Sequence, residues 1–224
     1  DGDGGIVHVR DVGVYYFVYG LYSVGSVYSV LGEVDAAYNQ YGIYSEYDLG
    51  TTIQNSSVHS NAITGIHVTG SSGLVAHNTL WGNGFGGGTS AGAGAIGLRS
   101  AASVQVLNNI VVSNDSGLNC DGCTGTMGYN LIWGNTTDYV NDASAAAGDL
   151  ALDPEFVAAP EGDYHLRASS PCIDAGTSTA YVTTDVDGEA RPQGAAVDLG
   201  FDEYAVSTYD LVISEVMANA ADER

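Results

Sequence analysis

The chain has 224 residues, with 27 acidic against five basic side chains and a formal net charge of −22. The five are all arginines (Arg10, Arg99, Arg167, Arg191 and Arg224); so negative a surface repels phosphates, which excludes nucleic acid as a partner class and suits an extracellular, salty or calcium-containing medium. A hydrophobic share of 45% is ample for a core, no apolar run is long enough to span a bilayer, and the 31 glycines are not spaced as in collagen.

The chain opens at Asp1-Gly2-Asp3 without a methionine, which reads as a piece of something longer, and a tyrosine-rich stretch follows (Tyr15, Tyr16, Tyr19, Tyr22, Tyr28). A short motif then returns at residues 19–23, 41–45, 64–68, 96–100 and 116–120, with glycine second and an aliphatic residue third. Its glycines are 22, 23, 32 and 20 residues apart, a period that implies one supersecondary unit stacked on copies of itself. Asn55, Asn78 and Asn130 each lie 13 residues after a motif glycine and Asn109 lies 12 after its own; Asn61, Asn83, Asn114 and Asn135 follow five or six residues later. These positions predict turns, because asparagine tolerates left-handed backbone and bonds its own main chain, and stacked asparagines can form a ladder.

Alternation along the strands sorts the faces. Leu21, Ile43, Ile66, Leu98 and Leu118 form one inward column, Ser23, Ser45, Val68, Ser100 and Cys120 a second, and Leu80, Val111 and Ile132 a third. Outward lie Tyr22, Tyr44, His67, Arg99 and Asn119, a row about 19 Å long at ~4.8 Å per strand, and beside it Val24, Glu46, Thr69, Ala101 and Asp121. Trp81, Val112 and Trp133 make an outward apolar stripe, which marks an interaction surface or one covered by the C-terminal segment. An insertion, GFGGGTSAGAGA, separates Asn83 from the fourth motif.

The segments GIHVTGSSGLVAHNTLWGN and GLNCDGCTGTMGYNLIWGN resemble the right-handed parallel β-helix repeat family over roughly residues 5 to 145. The resemblance implies an all-β solenoid of about six rungs over residues 1–149. Beyond it, LDPEFVAAPEGDYHLRASSPCIDAGT and TDVDGEARPQGAAVDLGFDEY resemble the region that closes surface-anchored bacterial β-helix proteins. That resemblance implies a secreted or cell-surface bacterial protein and a cap over residues 150–206, with Phe156, Leu166, Ile173 and Leu199 as its plug. Residues 207–224 read as a linker or the first strand of a following β domain, similar to the opening of a lamin-tail-like sandwich.

Three candidate chemistries follow. Asp185, Asp187 and Asp198 invite calcium, with Asp202 or Glu203 as further oxygen donors, although the run lacks full EF-hand spacing. Cys120 and Cys123 pair within one rung, or Cys172 bridges to one of them; either disulfide suits an oxidising compartment. Along the outward row, aromatic and polar side chains suit a glycan. The preferred reading is a non-catalytic extracellular or cell-surface structural or adhesin-like module, its partners a polysaccharide, a surface or matrix protein, or a second copy of itself. The alternative is a carbohydrate-active enzyme resembling pectate lyases, for which His67, Arg99, Glu46 and Asp121 are the candidates. No lysine is present, and Glu46 and Asp121 fall three rungs apart, roughly 14 Å, beyond the ~5–10 Å of a glycosidase pair.

Overall fold

The computed structural model describes residues 6–86, 93–100 and 103–205. The chain winds through six coils of three short strands each, and every strand pairs in parallel with its counterpart one coil away. Strands Ile6–Val9, Tyr28–Gly32, Thr51–Gln54, Ser72–Ala76, Ser103–Leu107 and Met127–Gly128 make the first sheet. Val12–Tyr15, Val34–Ala37, Ser57–His59, Thr79–Trp81, Ile110–Val112 and Leu131–Trp133 make the second. Tyr19–Val24, Tyr41–Glu46, Thr64–Thr69, Gly94–Arg99, Ser116–Asp121 and Thr137–Asn141 make the third.

Each corner turns on a single left-handed residue. Between the first and second sheets these are Asp11, Glu33, Asn55, His77, Asn108 and Tyr129, with φ between +46° and +58°. Tyr16, Tyr38, Ser60, Gly82, Ser113 and Gly134 serve the second corner, and Gly25, Tyr47, Gly70, Ser100, Gly122 and Asn141 the third. One such residue bends the strand sharply without breaking the inter-coil ladder, at a cost of about 1–3 kcal/mol where a Cβ is present. The flanking strands stack and offset that cost.

The interior is packed with apolar side chains. Leu31, Ile43, Ile53, Val58, Ile66, Leu80, Ile96, Leu98, Val106, Val111, Leu118 and Ile132 are at most 2% exposed and lie in one continuous cluster. The expected column on the second sheet, Leu80, Val111 and Ile132, is in register. On the third sheet the column runs Leu21, Ile43, Ile66, Ile96 and Leu118, so Ile96 takes the place expected for Leu98. Leu98 pairs with Val68 and Cys120 one position on, and Ser100, expected beside them, is a corner residue.

This shift identifies what the motif glycine does. Gly65 and Gly117 flank Ala95, not Gly97. A Cβ on Gly20, Gly42, Gly65 or Gly117 would meet the carbonyl oxygen of the next coil at 2.5–2.8 Å. At these four positions the backbone of the coil above leaves no room for a Cβ, whereas the fourth coil carries Ala95 at the equivalent place.

Two asparagine ladders line the first and second corners. The Ser56 amide donates to Asn78, Asn78 to Asn109 and Asn109 to Asn130, with side-chain Nδ2···Oδ1 distances of 3.0 Å between asparagines. The second runs Asn39, Asn61, Asn83, Asn114 and Asn135 at 2.9–3.1 Å. Each amide donates toward the C-terminal end, so each ladder needs a final group that only accepts. Asp149 and Asp138 supply it. Asn78, Asn109 and Asn130 therefore act as ladder rungs and not as the left-handed turn residues expected. Asn55 is the reverse: it holds the left-handed corner, and Ser56 stands at the ladder position.

Asn109→Ala is the sharpest test of the ladder. It strips the acceptor from the Asn78 amides and removes the Asn109 side-chain donor from the Val75 and Leu107 carbonyls, the second of which keeps the His77 amide. At about 1–3 kcal/mol per buried unpaired group, partly relaxed, it should cost about 3–5 kcal/mol in urea unfolding. A loss below about 1 kcal/mol would mean that the ladder is incidental.

The C-terminal segment departs from expectation. It does not close the end of the coil; it runs along the side as a strap. Phe156, Leu166, Leu199 and Phe201, with Ile173 partly buried, pack on Ile110, Val112 and Leu131 of the second sheet's outer face, and Val182 packs on Leu74 and Ala76 of the first. Between them the strap crosses the first corner, where Asn55 donates to the Thr184 carbonyl and Asn108 to the Thr177 carbonyl. The last coil is covered instead by residues 142–150: Ala143 enters the core, and Tyr129 and Ile132 donate main-chain bonds to Ala147 and Leu150. Most of the motif string ties the strap to itself. Asp153, Ser170, Asp174, Asp185, Asp198 and Glu203 all accept main-chain N–H donors. The expectations for residues 207–224, Ala101 and half of the insertion, residues 87–92, lie outside the described residues.

Candidate functional site

The outer face of the third sheet carries an aromatic platform. The residues one before and two after the first two motif glycines bring Tyr19, Tyr22, Tyr41 and Tyr44 together. Tyr19 stacks on Tyr41 with ring centroids 5.2 Å apart, and Tyr44 stacks on His67 at 4.5 Å. Edge contacts at 5.4–5.5 Å join Tyr22 to Tyr44 and Tyr41 to Tyr44. Tyr22 donates its hydroxyl to Glu46 at 2.7 Å. That bond to a carboxylate, with lesser burial and charge effects, holds the phenol protonated, its pKa raised to about 12. Tyr19 and Tyr22 are 42% and 47% exposed, although Tyr19 also stacks on Tyr22 at 5.1 Å, so the rings cover part of one another's faces.

Tyr22, Tyr44 and His67 thus form the row expected, but its second half differs. Gly97 follows His67, and Asn119 follows Gly97. Arg99 belongs to the neighbouring column with Glu46, Thr69 and Asp121, where its Nε lies 3.5 Å from Asp121. Asn119 is nearly buried and accepts a bond from Asn141 at 2.7 Å, so it is tied into the last coil. The four enzyme candidates do not converge. His67 stacks on Tyr44, Glu46 is engaged by Tyr22, and Arg99 and Asp121 pair with each other.

Cys120 and Cys123 form a disulfide within one coil, the first of the two pairings open to the sequence; Cys172 is a free thiol buried under the strap. The calcium candidates are separated by their hydrogen bonds. Asp185 accepts the Asp187, Glu189 and Glu203 amides, and Asp198 accepts those of Asp174 and Tyr204. The side chains that converge are Asp187, Asp202 and His165.

One cleft lies outside the expected positions. Between the second sheet and the strap, His59 faces Asp35 at 3.3 Å and Tyr15 donates to the other Asp35 oxygen at 2.5 Å. Burial acts against ionisation of Asp35, but the hydrogen bonds from His59 and Tyr15 outweigh it and lower its pKa. Tyr164 of the strap packs on the His59 ring. A cavity of about 240 Å³ runs from Glu33, Asp35 and His59 to His165 and Phe201. The outward positions of the second sheet could have been read from the sequence; which segment would face them could not.

Among the described residues no helix is long and apolar enough to cross a membrane. Residues 1–149 match the family described as right handed beta helix region, and the chain belongs to it. No curated protein matches the chain. Among solved structures it is similar to one titled "Crystal structure of pectate lyase Pel9A", at 13% identity and a TM-score of 0.40 over 88% of this chain and 71% of that one. A likeness so distant carries no statement about activity.

Proposed function

We propose that this chain is a non-catalytic structural or adhesin-like module of an extracellular or cell-surface protein, and that the tyrosine platform binds a glycan. The observation that carries the reading is the stack of Tyr19, Tyr22, Tyr41, Tyr44 and His67 on an open sheet face. Flat, rigid rings with hydroxyl rims suit sugar faces, and they lose little entropy on binding. The net charge of −22 points to a neutral glycan, since a polyuronate would be repelled. The non-catalytic half rests on dispersal: Glu46 and Asp121 are three coils apart in one column, roughly 14 Å at the ~4.8 Å strand spacing. The Cys120–Cys123 disulfide favours an oxidising, extracellular setting.

A panel of neutral and acidic polysaccharides, assayed for binding and for reducing or unsaturated products, tests this. Binding to a neutral chain without turnover is expected, and Tyr22→Ala should weaken it about fivefold, near 1 kcal/mol for one stacked ring. Turnover of any polysaccharide that Arg99→Ala abolishes would replace this reading with the enzyme alternative.

A further inference from the structure

We propose that His165, Asp187 and Asp202 bind one transition-metal dication of the zinc class. The inference is independent of the glycan reading. His165 lies on the strap's hairpin, in the strand Asp163–Leu166 that pairs with Phe156–Ala158. Its Nδ1 is 2.6 Å from Asp163 Oδ1, an oxygen that also accepts the His165 main-chain N–H at 3.2 Å. Asp163 thus accepts a hydrogen bond from Nδ1 and fixes the ring. In the neutral imidazole Nε2 is then a lone pair, the arrangement in which a carboxylate orients a metal-binding histidine.

What Nε2 faces is the informative part. Asp187 Oδ2 lies 3.1 Å away, and one ligand atom each of His165, Asp187 and Asp202 all fall within 4.8 Å of one another. A carboxylate only accepts, and so does a neutral imidazole nitrogen that carries no proton. Three acceptors converging on one point repel unless a cation lies among them. A second proton on His165 would satisfy Asp187; a dication with bonds near 2.1 Å satisfies all three.

Two further features favour the metal. The ligands are held from different elements before any ion arrives: the Leu166 amide bonds Asp202 at 2.7 Å, and the Asp187 amide bonds Asp185 at 3.0 Å. The cavity of about 240 Å³ between strap and second sheet is lined by His165, Val186 and Phe201, so open space adjoins the His165 side of the cluster. One imidazole nitrogen with two carboxylate oxygens suits zinc, cobalt or manganese; calcium and magnesium prefer all-oxygen sets.

The test is titration of the chelator-treated 224-residue chain with Zn²⁺ by calorimetry and with Co²⁺ by visible absorption. One ion per chain is expected, with a rise in melting temperature on saturation. His165→Gln and Asp187→Asn should each weaken Zn²⁺ binding about tenfold or more, while His8→Gln, on an exposed strand, should leave it unchanged. Asp187 is exposed, so its variant stays informative if His165→Gln does not fold. Failure to bind a stoichiometric ion would overturn the site, as would unchanged affinity in Asp187→Asn or a preference for Ca²⁺ over Zn²⁺. A doubly protonated His165 ring in a chain that takes up no metal would assign the position to a proton instead.

Discussion

Ile66→Asp is expected to leave no cooperative unfolding transition at all. Ile66 is fully buried, paired with Ile43 on one side and Ile96 on the other in the third coil. Truncating such a side chain costs about 2–5 kcal/mol, and a carboxylate without a partner in an apolar interior adds several more. Together these approach the whole stability of an ordinary domain, about 5–15 kcal/mol. In a solenoid the damage is also topological: each coil rests only on its neighbours, so failure in the third coil separates those before it from those after it. Ile66→Val, which keeps the shape, should cost only about 1 kcal/mol. Thr69→Asp, on the outer side of the same strand, should fall within about 0.5 kcal/mol of the parent. Circular dichroism with thermal melts reads all three. An Ile66→Asp protein that melts like the parent would mean that inside and outside have been exchanged.

The winding was legible because its signal is redundant. Glycine, aliphatic residue and asparagine recur together, and any two would have revealed the period. What failed was local register. Residues 96–100 imitate the motif because Gly97 stands two positions beyond Ala95, and a two-residue slip leaves Ile96 and Leu98 both facing inward. Alternation cannot detect a slip of two, and with Ala95 in the glycine position only the pairing itself does so. The slip moved Arg99 one column across and placed it, on paper, beside His67. The asparagines failed by one residue for a similar reason. Asn55 and Asn78 share a distance from their glycines, yet one holds the corner and the other the ladder next to it.

The platform and the strap show opposite limits. Tyr22, Tyr44 and His67 were visible because they sit on regular strands, where position in the repeat dictates direction. The strap has no repeat, so its motif string announced importance without geometry. Its acids read as calcium ligands, but most of them accept main-chain N–H groups in turns. The residues that do converge, His165, Asp187 and Asp202, come from three separate stretches. The outward apolar stripe at Trp81, Val112 and Trp133 was the one usable hint. Val112 is now buried under the strap, Trp81 packs there, and Trp133 remains 38% exposed.

Arg191→Met should release the strap while the coils stay wound. The Arg191 guanidinium and the Glu203 carboxylate lie 2.8 Å apart with both side chains wholly buried. Glu203 also accepts the Gln193 and Asp198 amides, and Arg191 donates to the Gly200 carbonyl at 3.0 Å. Removing one member of such a pair leaves the other charge buried and uncompensated, at about 3–5 kcal/mol. The pair is itself imperfect: Arg191 Nε is buried without a hydrogen-bond partner. Adding Glu203→Leu to Arg191→Met should restore little of the loss, because it also orphans the Gln193 and Asp198 amides and leaves the buried Asp185 and Asp198 without their cation. The loss should be local, since the strap meets the coils through a lateral face and adds nothing to their ladders. Cys172 reports on it directly. The thiol is fully buried beneath the strap, and burial pushes its pKa up to about 12, so it should resist thiol reagents in the parent. In Arg191→Met, labelling of Cys172 should accelerate by about a hundredfold or more, as 3 kcal/mol of local stability implies, while the β-sheet dichroism is retained. Unchanged labelling would show that the buried pair does not hold the strap. Labelling that rises only with loss of the β signal would show that strap and solenoid unfold as one unit.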